Sequence, residues 1–164
     1  MKRLSSSIAA VLMLVAIVIV GGCTRSEVKE PEAAGIAVGI EVPASIRAGE
    51  PFRVQGTLIN KDKQSRTIEH GADLFKLEVV DEQGKAVQVY HGEQIINMIG
   101  YNVTLKPGEM YRYDSEQQVL PRLDELTLAA GRYEIVALAK FRVKNGSTEQ
   151  TKEVRSEPVN ITAE

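Results

Sequence analysis

Apolar and polar residues alternate along most of the chain after residue 35. A period of two places successive side chains on opposite faces of an extended strand, so each such run predicts a strand with one buried and one wet face. The longest run is 132–144, in which one parity is apolar: Tyr133, Ile135, Ala137, Ala139, Phe141 and Val143. Shorter runs are 36–42, 52–58, 74–80, 85–90, 102–105, 110–113 and 150–161.

Turn residues separate these runs. Asp81–Gly84 predicts a hairpin between runs 74–80 and 85–90, and Asn145-Gly146 predicts a two-residue hairpin turn after the longest run. Pro107-Gly108 indicates a further chain reversal. Pro158 favours an edge position for the last strand, because proline lacks the N–H that an inner strand needs.

About eight short strands without a long helical period predict an all-β protein, an antiparallel β-sandwich of immunoglobulin-like type over residues 36–164. A single weak helical turn is expected near Leu120–Leu126. The segment 128–133 resembles the tyrosine corner of such folds, in which the Tyr133 hydroxyl bonds to the preceding backbone.

The N-terminus has the pattern of a secretory signal peptide, assigned to residues 1–22. Lys2 and Arg3 precede an unbroken apolar run, 8–20, which is shorter than the roughly 20 residues of a permanent span. Small residues follow it, up to Cys23.

Residues 20–23, Val-Gly-Gly-Cys, resemble the lipobox of bacterial lipoproteins. The resemblance implies cleavage before Cys23, acyl chains such as palmitate on that cysteine, and a flexible tether over residues 23–35. Two or more acyl chains anchor a protein stably to a membrane. Together with the export signal, this predicts a domain held at the membrane on its extracytoplasmic side. The alternative is that Cys23 is an ordinary residue of an uncleaved anchor or of a secreted protein.

Composition narrows the function classes. The 20 Lys and Arg against 22 Asp and Glu give a net charge of -2, so there is no basic footprint for nucleic acid. A single cysteine excludes a disulfide scaffold.

The sequence shows no catalytic constellation. His70 and His91 lie on different predicted elements and lack metal-ligand spacing, and no serine has a glycine elbow around it. We therefore expect no catalytic residue, metal or cofactor, and a protein that is not an enzyme.

Two segments depart from the strand pattern, 92–101 and 115–126. Their apolar residues are candidates for a binding surface on exposed loops: Ile95, Ile96, Met98, Ile99, Tyr101, Val119, Leu120 and Leu123. The alternative is that both segments are irregular strands or caps whose apolar residues fold back on the core.

Four segments, in this order, resemble the bacterial intracellular proteinase inhibitor (BsuPI) family. They are AGEPFRVQGTLINKDKQSRTI, LFKLEVVDEQGKAV, VTLKPGEMYRYD and LAAGRYEIVALAKF. The likeness spans roughly Ile40 to Val143 and implies an immunoglobulin-like sandwich.

The founding inhibitor of that family acts in the cytoplasm on a subtilisin-like serine protease, so with an export signal any protease partner here would be extracytoplasmic. No inhibitory loop is matched residue by residue. The resemblance suggests a Gram-positive host, with the lipid in the cytoplasmic membrane. In a Gram-negative host the outer membrane would be expected, because Thr24 after Cys23 is not the Asp that retains many lipoproteins at the inner membrane. Two functions stay open, a membrane-anchored module that binds a protein or envelope partner, and a tethered inhibitor of a serine protease.

Overall fold

The computed structural model describes residues 35–145 and 148–164. Three predicted features lie outside the described residues: the signal peptide, the lipidated Cys23 with the tether up to residue 34, and Gly146 of the predicted hairpin turn. Among those described, no helix is long and apolar enough to cross a membrane.

Thirteen strands and one short 3-10 helix, Glu116–Gln118, make up the described part of the chain. The strands are β1 (Ile36–Glu41), β2 (Pro51–Arg53), β3 (Gln55–Asn60), β4 (Arg66–His70), β5 (Phe75–Asp81), β6 (Ile95–Ile96), β7 (Tyr101–Leu105), β8 (Met110–Arg112), β9 (Val119–Leu120), β10 (Glu125–Thr127), β11 (Gly131–Asn145), β12 (Thr148–Arg155) and β13 (Val159–Ala163).

The larger sheet is built around β11. On one edge β11 pairs with β5 and then β4, and on the other with β13 and then β12; β7 extends the sheet beyond β4. The second sheet has the order β1-β3-β8, and β10-β2 and β6-β9 are two-stranded pairs. All strand pairings are antiparallel, which confirms the predicted β-sandwich.

The core lies between the two sheets. The predicted alternation along β11 is confirmed, because Ile135, Ala137, Ala139, Phe141 and Val143 are all buried. They meet a second group of buried side chains from the facing sheet and its connections, among them Ile36, Val38, Val54, Leu58 and Leu126.

Buried Asn60 joins the two sheets. Its Nδ2 donates to the carbonyls of Gln64 and Leu105 at 2.8 and 2.9 Å, and its Oδ1 accepts from the Asp62 N–H at 3.0 Å. Because every polar group of this side chain is satisfied, its burial stabilises the connection rather than costing free energy.

The Pro107-Gly108 turn carries the chain from one sheet to the other instead of closing a hairpin. Gly108 has a φ of 76°, and the Glu109 N–H bonds to the Lys106 carbonyl at 3.0 Å. β7, before the turn, pairs with β4, whereas β8, after it, pairs with β3.

Three details of the strand prediction are wrong. Run 85–90 makes the predicted reversal after Asp81–Gly84 but forms no regular strand: the Val87 N–H bonds to the Val79 carbonyl at 2.8 Å, whereas the Leu77 N–H bonds to the Tyr90 hydroxyl at 2.8 Å. Run 150–161 is divided into β12 and β13 around Pro158. The expected turn at Leu120–Leu126 is β9 followed by β10, and the helical turn lies earlier, at Glu116–Gln118.

Gly56 provides a test of the packing between the sheets. A Cβ at this position would lie 2.6 to 2.9 Å from three ring carbons of Phe75, so we expect Gly56→Ala to lower the free energy of unfolding by about 1–3 kcal/mol. Gly100→Ala is the control, because nothing described lies within 4 Å of its added Cβ, and its expected change is within about 0.5 kcal/mol. Urea unfolding measures both, and equal midpoints would contradict the packing described.

Candidate functional site

The two segments that depart from the alternating pattern come together in the structure. Ile95 and Ile96 of β6 pair with Leu120 and Val119 of β9. Beside this pair, the Asn97 N–H bonds to the Gln118 carbonyl at 2.9 Å. The Asn97 side chain also donates to Gln118 Oε1 at 2.9 Å. Segments more than twenty residues apart therefore form one small two-stranded platform.

Four apolar side chains of this platform face solvent, and we call them the apolar patch: Ile95, Met98, Ile99 and Leu120. Ile95 is 67% exposed and Leu120 52%, whereas Met98 is fully exposed. Among the described residues, the other large hydrophobic side chain exposed to this degree is Met110 of β8, at 58%. Exposed apolar residues grouped on a hydrogen-bonded platform are typical of an interaction surface.

The remaining candidates have other positions. Val119 and Leu123, predicted to belong to a binding surface, are instead buried with Ala72 in a small second core. Ile96 is partly buried against that core. For these residues the alternative interpretation, folding back on the core, describes the structure, and they support the apolar patch from beneath.

Tyr90 connects this second core to the larger sheet. Its hydroxyl accepts from the Leu77 N–H of β5 and donates to the Leu123 carbonyl, both at 2.8 Å. Burial raises the pKa of Tyr90 to about 12, so the hydroxyl remains a donor at any physiological pH.

An ion-pair cluster holds the segment before and after β9. The Arg122 guanidinium pairs with Asp114 and, at 2.6 Å, with Asp124. Although burial opposes the shift, hydrogen bonds from the Glu116 N–H and from Arg122 keep the pKa of Asp114 below its usual 3.8. The carboxylate is therefore charged at neutral pH, and the segment is fixed at both ends.

Tyr101, the last candidate, belongs to an aromatic cluster with His70, Tyr111 and Tyr113. The His70 ring lies 5.1 Å from that of Tyr101, stacked at 18°, and 4.8 Å from that of Tyr113. His70 Nδ1 lies 2.7 Å from the Gly71 carbonyl, which only accepts, so Nδ1 is the donor. In the neutral ring Nε2 then accepts from the Tyr111 hydroxyl at 3.1 Å.

An open groove of about 450 Å³ separates residues 96–100 from β4 and β11. Charged residues line its far wall, where Glu69 and Arg142 form an ion pair at 2.5 Å. Met98 and Ile99 of the apolar patch thus lie on one side of a cleft whose opposite side is charged.

The structure also places the predicted tyrosine corner and the two histidines considered as metal ligands. The Tyr133 hydroxyl donates to the Ala129 carbonyl at 3.1 Å, which is the bond of a tyrosine corner. His91 is exposed and His70 is buried. Within the described part of the chain, no group of three or more His, Cys, Asp or Glu side chains is placed to hold a metal ion.

A model of the BsuPI family, described as intracellular proteinase inhibitor, matches residues 43–146. The chain belongs to the BsuPI family. The matched range contains the whole platform and the aromatic cluster, so the BsuPI domain and the sandwich described above coincide over most of their length.

No curated protein matches this BsuPI chain in sequence. Among solved structures it is similar to a Bacteroides uniformis beta-glucuronidase, with 15% identity and a TM-score of 0.36 over 77% of this chain. The chain spans 13% of that enzyme. It is also similar to the ASH / PapD-like domain 7 of human CEP192, with 12% identity and a TM-score of 0.35 over 97% of this chain and 96% of that one.

Sequence reasoning missed the residues that hold the platform of this BsuPI domain. Asn97, Gln118 and Tyr90 act through hydrogen bonds between distant segments, and such bonds leave no periodic signal in the sequence. The available signal was indirect, since two apolar segments that both fail the strand pattern are candidates for pairing with each other.

We expect His70 to make the stability of the domain depend on pH. Burial lowers its pKa below 6.5, with the Gly71 hydrogen bond and the charge of Asp73 opposing the shift. Below about pH 6.5 the unfolded chain binds a proton that the native chain does not, so the free energy of unfolding falls as the pH falls, by at most about 1.4 kcal/mol per unit.

We expect His70→Gln to remove this component, giving a shallower loss of stability between pH 7 and pH 5 than in the unchanged chain. Urea unfolding at several pH values measures it, with His91→Gln as the exposed control. Parallel curves for His70→Gln and the unchanged chain would show that His70 does not cause the dependence.

Proposed function

We propose that this BsuPI chain is a lipid-anchored extracytoplasmic protein whose domain binds a protein partner through the apolar patch. The observation that carries the proposal is the grouping of Ile95, Met98, Ile99 and Leu120 on one hydrogen-bonded platform. The proposal is of a binding module and not of an enzyme, and the description of the family as a proteinase inhibitor supports it.

The N-terminal sequence supports the anchor. A basic start, the apolar run 8–20 and Gly21-Gly22 before Cys23 are what lipoprotein processing requires. Two or more acyl chains on Cys23 would hold the protein at the outer face of the cytoplasmic membrane.

The position of the patch suits a protein held from its N-terminal side. Ile36, the first residue of β1, pairs with Asn60 at one end of β3. At the other end of β3, the Val54 N–H bonds to the Asp124 carbonyl at 2.8 Å, next to Leu123 beneath the patch. The six residues of β3 therefore separate the two points by roughly 15 to 20 Å, at about 3.3 Å per residue.

A second candidate function is inhibition of an extracytoplasmic serine protease. The observation that favours it is the family match over residues 43–146, which includes both segments of the platform. A tethered inhibitor would abolish protease activity stoichiometrically while the chain itself stays uncleaved.

Replacement of the lipidated residue tests the anchor. We expect Cys23→Ser to abolish labelling of the chain with a tagged fatty acid, because no other cysteine is present. Thr24→Ser is the matched control and should be labelled as the unchanged chain is. Equal labelling of Cys23→Ser and the unchanged chain would contradict lipid anchoring at Cys23.

Site-specific photo-crosslinking tests the patch. A photoreactive residue at position 120 should give one discrete adduct with another protein in producing cells, whereas the same residue at position 110, exposed but outside the patch, should not. Ile95→Asp should remove the adduct, because a charge would then be buried at the contact. Equal adducts at both positions would argue against a specific surface, and an adduct of two copies of this chain would identify self-association instead.

A further inference from the structure

The loop of residues 96–100 contains a tight turn with one side chain at its centre. The Ile99 N–H bonds to the Asn97 carbonyl at 2.8 Å, closing a three-residue turn around Met98. Met98 has a negative φ, and its side chain is fully exposed. Met98 is therefore fully exposed without a positive φ.

Both flanks of this loop are fixed to the domain. On one side Asn97 makes its two hydrogen bonds to Gln118. On the other side Tyr101 begins β7 and stacks on the buried ring of His70. A loop held in this way loses little conformational entropy on binding, which is what a tight-binding, substrate-like segment requires.

The chemistry of the loop selects one kind of pocket. Residues 94–101 carry no charged side chain, and Met98 is a long, unbranched and flexible apolar residue. It suits a deep apolar specificity pocket, as in chymotrypsin-type proteases, and has no charge to pair with the acid of a trypsin-type pocket. The groove between the loop and β11 leaves the loop standing clear of the charged wall formed by Glu69 and Arg142.

We infer that Met98 is the specificity-determining residue of this domain, and that it enters the primary pocket of an extracytoplasmic serine protease that prefers large apolar side chains. The inference rests on the second candidate function, protease inhibition. Ile99 and Ile95 would pack around the rim of the cleft, and Leu120 would contact the enzyme beside it.

The test uses the full chain, purified in detergent, with subtilisin and chymotrypsin as apolar-pocket probes and trypsin as the basic-specificity probe. We expect the unchanged chain to inhibit at least one apolar-pocket enzyme and not trypsin. Met98→Lys should weaken that inhibition about 100-fold, because a charge would enter an apolar pocket, and should introduce inhibition of trypsin. Met98→Leu should retain inhibition within a few-fold.

Met110→Lys is the matched control, since Met110 is an exposed methionine on β8, outside the patch, and should inhibit as the unchanged chain does. If Met98→Lys inhibits the apolar-pocket enzyme normally and gains nothing toward trypsin, the assignment of Met98 is wrong while inhibition stands. If the unchanged chain inhibits none of the probes, the inference fails together with the inhibitor function. The crosslink at position 120 then decides separately whether the patch binds another partner.

Discussion

The pairing of β11 along both of its edges is the constraint on which the rest of the domain depends. This strand spans Gly131–Asn145, and β5 with β4 on one side and β13 with β12 on the other take their register from it. A one-residue shift would turn its buried face to solvent. The burial of that face therefore fixes the register of four other strands at once.

The platform depends on this sheet through few contacts. Tyr90 links β5 to Leu123 by two hydrogen bonds, and the stacking of Tyr101 on His70 links β4 to the start of β7. Each of these contacts is made to a group that the larger sheet already fixes, the Leu77 N–H of β5 or the His70 ring of β4. Residues 92–101 are therefore held in place while some of their apolar side chains remain in solvent. The cost of exposing these side chains is offset by the stability of the sheet beneath them.

The sequence predicts the strands in which apolar and polar residues alternate regularly. Alternation identified β11 and β5, and the order of turns and strands was sufficient for the sandwich class. The sequence did not predict that run 85–90 would pair with β5 next to the turn and no further, because beyond Val87 the Leu77 N–H bonds to the Tyr90 side chain. The same holds for the apolar segments: Val119 and Leu120 are adjacent, and only their pairing with β6 decides that the first is buried and the second exposed.

This difference between regular and irregular parts has a physical origin that bears on function. A strand that buries one face needs an apolar residue at every second position, so its pattern can be recognised in the sequence. A surface that must fit another protein is constrained by the shape of that protein, which the chain does not encode in any period. Met98 illustrates the point, since its side chain is fully exposed, whereas the Asn97 N–H before it bonds to Gln118 and the Tyr101 ring after it stacks on His70. An exposed side chain on a backbone held on both sides is the arrangement that the proposed protease contact requires.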